Sequence, residues 1–321
     1  MKRGLVPTLF LACALAQQPD GLRDRLANCH LPGDQRTSVL DAFSAKDYGR
    51  TATLLDRLSE AAGKSALAAE LAALAGGVEF LDGRMDLAAQ AFQRSDELSP
   101  LDDRDRFTWA MALVKLDDAA EARAQLTRLN AAHPETALYL YWLARIDYDQ
   151  RLYEDAVAKL RRVIELDPGS ARAYDNLGLA LDMSGQTDDA VHAFEKAVEL
   201  NRKLVQPSAW PPHNLGALLL RMQRLKEAEA ALRESLRYDP ALSVAHYHLG
   251  RVLDQLGRDE EAITEYRAAS TDEPIVVEAL YSLGLVYRRH DRTAEAEAAF
   301  AEYKKLKAPL PPPPALPARQ P

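Results

Sequence analysis

The chain carries several residue groups whose types suggest chemistry, and their spacing withholds most of it. Gly63-Lys64-Ser65 is the closing triplet of a phosphate-binding loop. That loop needs another glycine five residues before Gly63, where the chain has Leu58, and a buried strand leading into it, which the pattern lacks. His246 and His248 could offer two imidazoles to a metal, but a spacing of two places them on different faces of a helix. His246 also stands where large apolar residues recur, which predicts a packed core histidine. Cys29-His30 lacks the second cysteine of a haem-attachment motif, and Cys13 is the only other cysteine. Two cysteines make neither a disulfide scaffold nor a structural zinc site. His-Glu-x-x-His and Gly-x-Ser-x-Gly are both absent. Asp102-Asp103 and Asp188-Asp189 fall at expected helix starts, where carboxylates favour the positive end of the dipole, and nothing suggests a cleft around them. The sequence therefore predicts no catalytic, cofactor or metal residues, and no enzyme.

What remains is recognition chemistry. Side-chain amides such as Asn176 and Asn214 both donate and accept, so they can pair with any peptide unit. Tyr, Trp and Arg join apolar area to hydrogen bonding. Charge narrows the partner. Lys plus Arg is 40 against 48 Asp plus Glu, a net of −8 with no basic block, which disfavours nucleic acid. A hydrophobic share of 47% with 27% charged residues is ordinary for a globular chain, and 321 residues suggest about two domains.

The N-terminus reads as a leader. Lys2 and Arg3 precede an apolar run, Leu5 to Ala16, broken only by Pro7 and Thr8, and Ala14-Leu15-Ala16 is a small-x-small site. The run is too short to span a bilayer. Residues 1–16 thus read as a signal peptide cleaved after Ala16, giving an exported, periplasmic or secreted protein with no transmembrane segment. The alternative is lipidation at Cys13, but Phe10-Leu11-Ala12-Cys13 has an aromatic where an aliphatic is usual. Cleavage after Ala16 leaves Cys29 as a lone thiol.

The elements that must position the recognition residues are announced by a period of 34. Small residues recur at Gly76, Ala110, Ala144, Gly178, Gly216, Gly250 and Gly284, with one spacing of 38 between Gly178 and Gly216. Twelve residues after each lies an alanine (Ala88, Ala122, Ala156, Ala190, Ala228, Ala262, Ala296), and four further a large apolar side chain (Phe92, Leu126, Leu160, Phe194, Leu232, Tyr266, Phe300). Most units close on a proline: Pro100, Pro134, Pro168, Pro240, Pro274. Offsets of four and seven define helix faces. The small residue lets a second helix approach, and the alanine is expected to complete that contact. Ser184-Gly185-Gln186, Leu256-Gly257-Arg258 and Arg289-His290-Asp291 are turn signals between the helices. A helix pair of 34 residues cannot bury its own apolar face and must stack on neighbours.

This pattern resembles the tetratricopeptide repeat, most clearly in Tyr174-Asp-Asn-Leu177-Gly178-Leu-Ala-Leu181 and Leu280-Tyr-Ser-Leu283-Gly284-Leu-Val-Tyr287. The resemblance implies an all-α fold, a right-handed α-solenoid of about seven helix pairs plus a degenerate N-terminal pair. It replaces the two-domain expectation with one array. Residues 17–35 form an N-terminal segment. Residues 36–68 form a degenerate capping pair, with Tyr48 and Ala52 opening a second helix and Asp56 where a large apolar residue belongs. Seven units cover 69–308: 69–102, 103–136, 137–170, 171–208, 209–242, 243–276 and 277–308. The fourth contains an insertion of four around Leu204 to Ser208, which predicts a lengthened connection and a change of path. Trp210-Pro211-Pro212 suits a first helical turn. Residues 309–321 form a proline-rich tail of extended polyproline character, and Pro314-Ala-Leu-Pro317 has PxxP spacing. No capping helix follows the last unit, so Ala296, Phe300 and Tyr303 are expected to form a face needing cover.

By the same resemblance the first helix of each pair lines a groove, with its second, fifth, sixth, ninth, twelfth and thirteenth positions contributing to or bordering that surface. The implied partner-binding residues are Tyr141, Trp142, Arg145, Tyr148, Asp175, Asn176, His213, Asn214, Tyr247, His248, Arg251, Tyr281 and Arg288. Phe107, Ser282 and Asp254 stand at equivalent positions. Asn176 and Asn214 are placed like the asparagine ladder in the repeat domain of O-linked N-acetylglucosamine transferases, here with two clear rungs. The carboxylate clamp of chaperone-binding relatives is absent, since the fifth position never carries lysine. Three functions stay open: an exported non-enzymatic scaffold binding a protein or peptide in its groove; self-association through the last repeat; and an accessory subunit of an envelope enzyme or a polysaccharide or peptidoglycan assembly system.

Overall fold

The computed structural model describes residues 19–270 and 275–307, so the leader and the proline-rich tail lie outside the described residues. Those residues form seventeen α-helices and no strands. None of these helices is long and apolar enough to cross a membrane. The chain divides into two compact units, Met1–Pro168 and Gly169–Pro321.

The first unit holds α1 (Pro19–Asn28), α2 (Gly33–Ser44), α3 (Tyr48–Ala61), α4 (Ala66–Leu81), α5 (Met85–Leu98), α6 (Asp103–Lys115), α7 (Ala119–Ala132), α8 (Ala137–Asp149) and α9 (Tyr153–Leu166). The second holds α10 (Ala171–Met183), α11 (Thr187–Asn201), α12 (Trp210–Arg221), α13 (Leu225–Tyr238), α14 (Ser243–Gln255), α15 (Asp259–Ala269), α16 (Val276–Arg289) and α17 (Thr293–Lys307). Each repeat of 34 is a helix pair.

The small residue of each pair has a more specific job than expected. A methyl on Gly178 would stand 2.6 Å from the Phe194 ring, and one on Gly250 or Gly284 would stand 2.7 Å from Tyr266 or Phe300. The large side chain, rather than the alanine, fills the space that the small residue leaves. The alanine is buried at the same contact: Ala190 and Ala262 are fully enclosed. The turn inside each pair needs one residue in the left-handed region. These fall at Gly83, Asp117, Arg151, Gly185, Gln223, Gly257 and Asp291, in step with the repeat. Three are glycines, for which positive φ is free, and four carry the strain of a side chain.

Both ends differ from expectation. Helix α1 lies in residues 17–35, to which the sequence reading assigned no element. Its Leu22, Leu26 and Cys29 enter a core with Val39, Phe43, Leu55, Leu71 and Val78, and Arg25 grips Asp105 of α6 through two bonds of 2.7 and 2.5 Å. Leu55, not position 56, fills the core of the degenerate pair, and Asp56 pairs with Arg94 at 2.5 Å. At the other end Ala296 is buried, while Phe300 and Tyr303 are half-buried against α16. The stripe read as uncovered therefore faces its own partner helix. The open side of α17 carries exposed Glu297, Ala301, Lys304 and Lys305.

The insertion is a closed loop rather than slack chain. Buried Asn201 donates to Ser208 O and accepts from Ser208 N, both at 2.8 Å. Pro211 and Pro212 occupy the first turn of α12 as expected.

Candidate functional site

Each unit carries some of the expected contact residues on its first helices. In the first, Phe107, Tyr141 and Trp142 are 5%, 8% and 3% exposed. Phe107 packs on Tyr139 at 5.6 Å between centroids, and Tyr141 meets Trp142 edge-on at 5.8 Å. Arg145 and Tyr148 are half-buried, with Tyr148 against Tyr153 at 5.6 Å. These implied contact residues are core aromatics with a partly open rim.

In the second unit the same positions join into one hydrogen-bonded chain. Asn214 Nδ2 on α12 donates to Asp175 Oδ1 on α10 at 3.0 Å. Asn214 Oδ1 lies 3.1 Å from His213 Nδ1. A carbonyl oxygen only accepts, so His213 carries its hydrogen on Nδ1. His213 Nε2 is then an acceptor, 3.0 Å from His248 Nδ1 on α14, and His248 must donate from Nδ1. The last atom of the chain, His248 Nε2, is left with a lone pair. The two imidazoles are nearly parallel, with centroids 5.1 Å apart, and Trp210 meets His213 edge-on at 5.5 Å.

Burial fixes this polarity. His213 is 7% exposed, and loss of hydration holds its pKa down to about 4 against the opposing pull of Asn214. Burial likewise holds His248 down to about 3, with His213 and Arg251 adding to the effect. Both rings are neutral at physiological pH, so the half-buried His248 presents a fixed acceptor. Beside it are half-buried Tyr247, 5.6 Å away, and Arg251, whose guanidinium lies 5.8 Å from the Tyr247 centroid.

The remaining predicted residues sort plainly. Asn176 is buried, and one N–H of its amide donates to Arg172 O of its own helix at 2.8 Å. With one N–H of Asn214 engaged by Asp175, the two rungs of the expected ladder already serve the fold. Tyr281 and Arg288 are exposed. Sequence reasoning missed Trp210 as a wall of the site. It also missed the link between neighbouring units, although the alternation of fifth and sixth positions along Asp175, Asn214, His213 and His248 was a signal for it. His246 is a correction. It is not a packed apolar-core residue: its Nδ1 faces Glu265 at 2.6 Å and its Nε2 faces Pro240 O at 3.0 Å. Two acceptors require two donors, so the ring is an imidazolium, and the Glu265 bond raises its pKa. Among the described residues no His, Cys, Asp and Glu group is arranged to hold a metal.

A tetratricopeptide repeat family model matches residues 107–171, 213–273 and 260–311, more than half of the chain, and a second tetratricopeptide repeat model matches 171–204. The chain is 29% identical over 189 residues to cellulose synthase operon protein C of Pseudomonas fluorescens, covering 57% of this chain and 14% of that protein. It is 28% identical over 229 residues to a TPR repeat-containing protein of Treponema pallidum, covering 68% of this chain and 27% of that protein. The chain thus spans a small part of these relatives. Among solved structures, Pseudomonas aeruginosa pilF superposes with a TM-score of 0.58 at 16% identity, covering 64% of this chain and 91% of that one. PilW, titled a type IV pilus biogenesis factor, superposes at 0.56 with 19% identity, covering 63% and 92%. These likenesses are of fold.

Proposed function

Because the chain belongs to the tetratricopeptide repeat family, we propose that it is a non-enzymatic scaffold that holds an extended segment of a partner protein against the first helices of its second unit. The observation that carries this reading is the one-way chain from Asp175 to His248. It ends in a neutral acceptor beside Tyr247 and Arg251, so the face offers one acceptor, one ring and one cationic donor in a row. An extended backbone presents N–H and C=O groups alternately and can satisfy both. Export through residues 1–16 belongs to the same proposal. Its support is the basic start, the short apolar run and the small-x-small site, and the mature chain would begin at Gln17.

The similarity to cellulose synthase operon protein C favours a second reading, an accessory part of an envelope polysaccharide assembly system. One experiment addresses both. The full chain is cross-linked in its native cell, and partners are compared between the parent and a folded Tyr247→Ala, His248→Ala double variant. Loss of one dominant partner supports the groove, and that partner's identity separates the two readings. Retention at parent level in the folded variant rejects the groove.

A further inference from the structure

We propose that the aromatic ledge at the end of the second unit docks the chain's own proline-rich segment, residues 309–321. Tyr281 is 45% exposed, the most open aromatic ring among the described residues. It is held that way from below. Its ring stands 5.2 Å from Tyr303 and 5.9 Å from Phe300, and Phe300 is seated on Gly284, where a methyl would come within 2.7 Å. Lys307 Nζ bonds the Tyr303 hydroxyl at 2.8 Å and lies 5.3 Å from the ring centroid, which fixes Tyr303 in turn. Arg288 stands 5.9 Å from the Phe300 centroid. The result is a rigid apolar shelf with hydroxyl and guanidinium donors on its rim.

The segment that follows α17 in the sequence has the complementary chemistry. Residues 309–321 contain seven prolines and one charge, Arg319. Proline has no N–H, so such a segment brings carbonyl acceptors and flat ring faces and needs donors and aromatic faces in return. The Tyr281 hydroxyl and Arg288 are donors, and Tyr281 is an open ring face. Reach is ample. Helix α17 ends at Lys307, one turn beyond Tyr303. Thirteen residues at ~3.1 Å each extend about 40 Å, roughly twice the length of α16. Attachment at the shelf gives the segment a high effective concentration, so weak contacts suffice. Tyr281 and Arg288 stand at groove positions of α16, but the docking does not rest on the bonded chain from Asp175 to His248 that carries the groove reading.

The test uses the full chain with Cys13→Ser, which removes the leader thiol, and Gln320→Cys carrying a nitroxide. Cys29 is buried, so it escapes the label. The expected result is loss of the Tyr281, Ser282 and Tyr303 amide signals through paramagnetic broadening, unchanged on dilution. Tyr281→Ala should restore the Ser282 and Tyr303 signals, whereas Tyr281→Phe, which keeps the ring, should keep most of the broadening. Broadening confined to the last turn of α17 overturns the proposal. So does broadening that disappears on dilution, which assigns the ledge to the tail of a second copy. Partner capture by the groove is measured separately, so either reading can fail alone.

Discussion

The two units place different chemistry at the same repeat positions. In Met1–Pro168 the fifth and sixth positions of the first helices include Phe107, Tyr141 and Trp142, whose rings are buried: Tyr141 is 8% and Trp142 is 3% exposed. In Gly169–Pro321 those positions hold Asp175, His213, Asn214 and His248, which bond one another in series, and Tyr281 is 45% exposed. The backbone plan is shared, but residue type does not set burial alone: a tyrosine at the fifth position is buried at Tyr141 and open at Tyr281, and the polar His213 is buried. A large ring gains most by leaving water. A polar residue there must find a partner, and the neighbouring repeat of the same unit supplies one.

The contrast is tested most sharply between a buried ring and an open one. Trp142→Ala should cost about 3–5 kcal/mol, the range for truncating a buried large aromatic. Tyr281→Ala, at an exposed ring, should cost less than about 1 kcal/mol. Urea midpoints of the two variants measure the difference. Equal costs would mean that both faces are core.

The next effect sharpens the polar side. His213→Leu keeps the bulk but removes the middle of the chain, leaving Asn214 Oδ1 and His248 Nδ1 without their partner. A cost of about 2 kcal/mol is expected, as for an unsatisfied buried group. The pH dependence carries the same information. Burial depresses both histidines, to about 4 and about 3, so the unfolded chain binds these protons more readily. Their contribution is complete above the unfolded value of 6.5 and is lost as pH falls from there towards about 3. The melting temperature should drop over that window, and His213→Leu should flatten the drop. An equally steep drop in the variant would show that the pair is not the cause.

The period of 34 made the helix pairs legible, because Gly178 and Phe194 repeat with their equivalents in every unit. The partner of each small residue was harder to assign, since Ala190 and Phe194 lie on one helix face and only packing shows which of them fills the gap. Helix α1 was unreadable because its core residues, Leu22 and Leu26, lie outside the period and fit into a cluster built by α2 and α4. The site was legible as a set of positions and illegible as a chain. Asp175 and Asn214 are 39 residues apart, and a bond between units depends on their stacking. Position also misled at His246. Its place in the repeat implied an apolar setting, but Glu265 and Pro240 O come from outside the helix that carries it.

The smallest predicted effect separates two histidines on one helix. His248 is neutral because its ring both accepts burial and donates a single hydrogen to His213. His246, two residues earlier, faces a carboxylate and a carbonyl and is charged. The Glu265 bond raises its folded pKa above 6.5, so its stabilisation is complete below 6.5 and fades as pH rises through the raised value. The slope is therefore opposite to that of His213 and His248. Solvent reaches part of the pair, with both side chains 17% exposed, which limits the effect to under about 1 kcal/mol. His246→Gln should lose this alkaline decline and leave the acid decline unchanged, read as melting temperature from pH 5 to about 9. If the substitution moves the acid limb instead, the two histidines are coupled, and the separation between a structural ion pair and a binding-face acceptor on α14 fails.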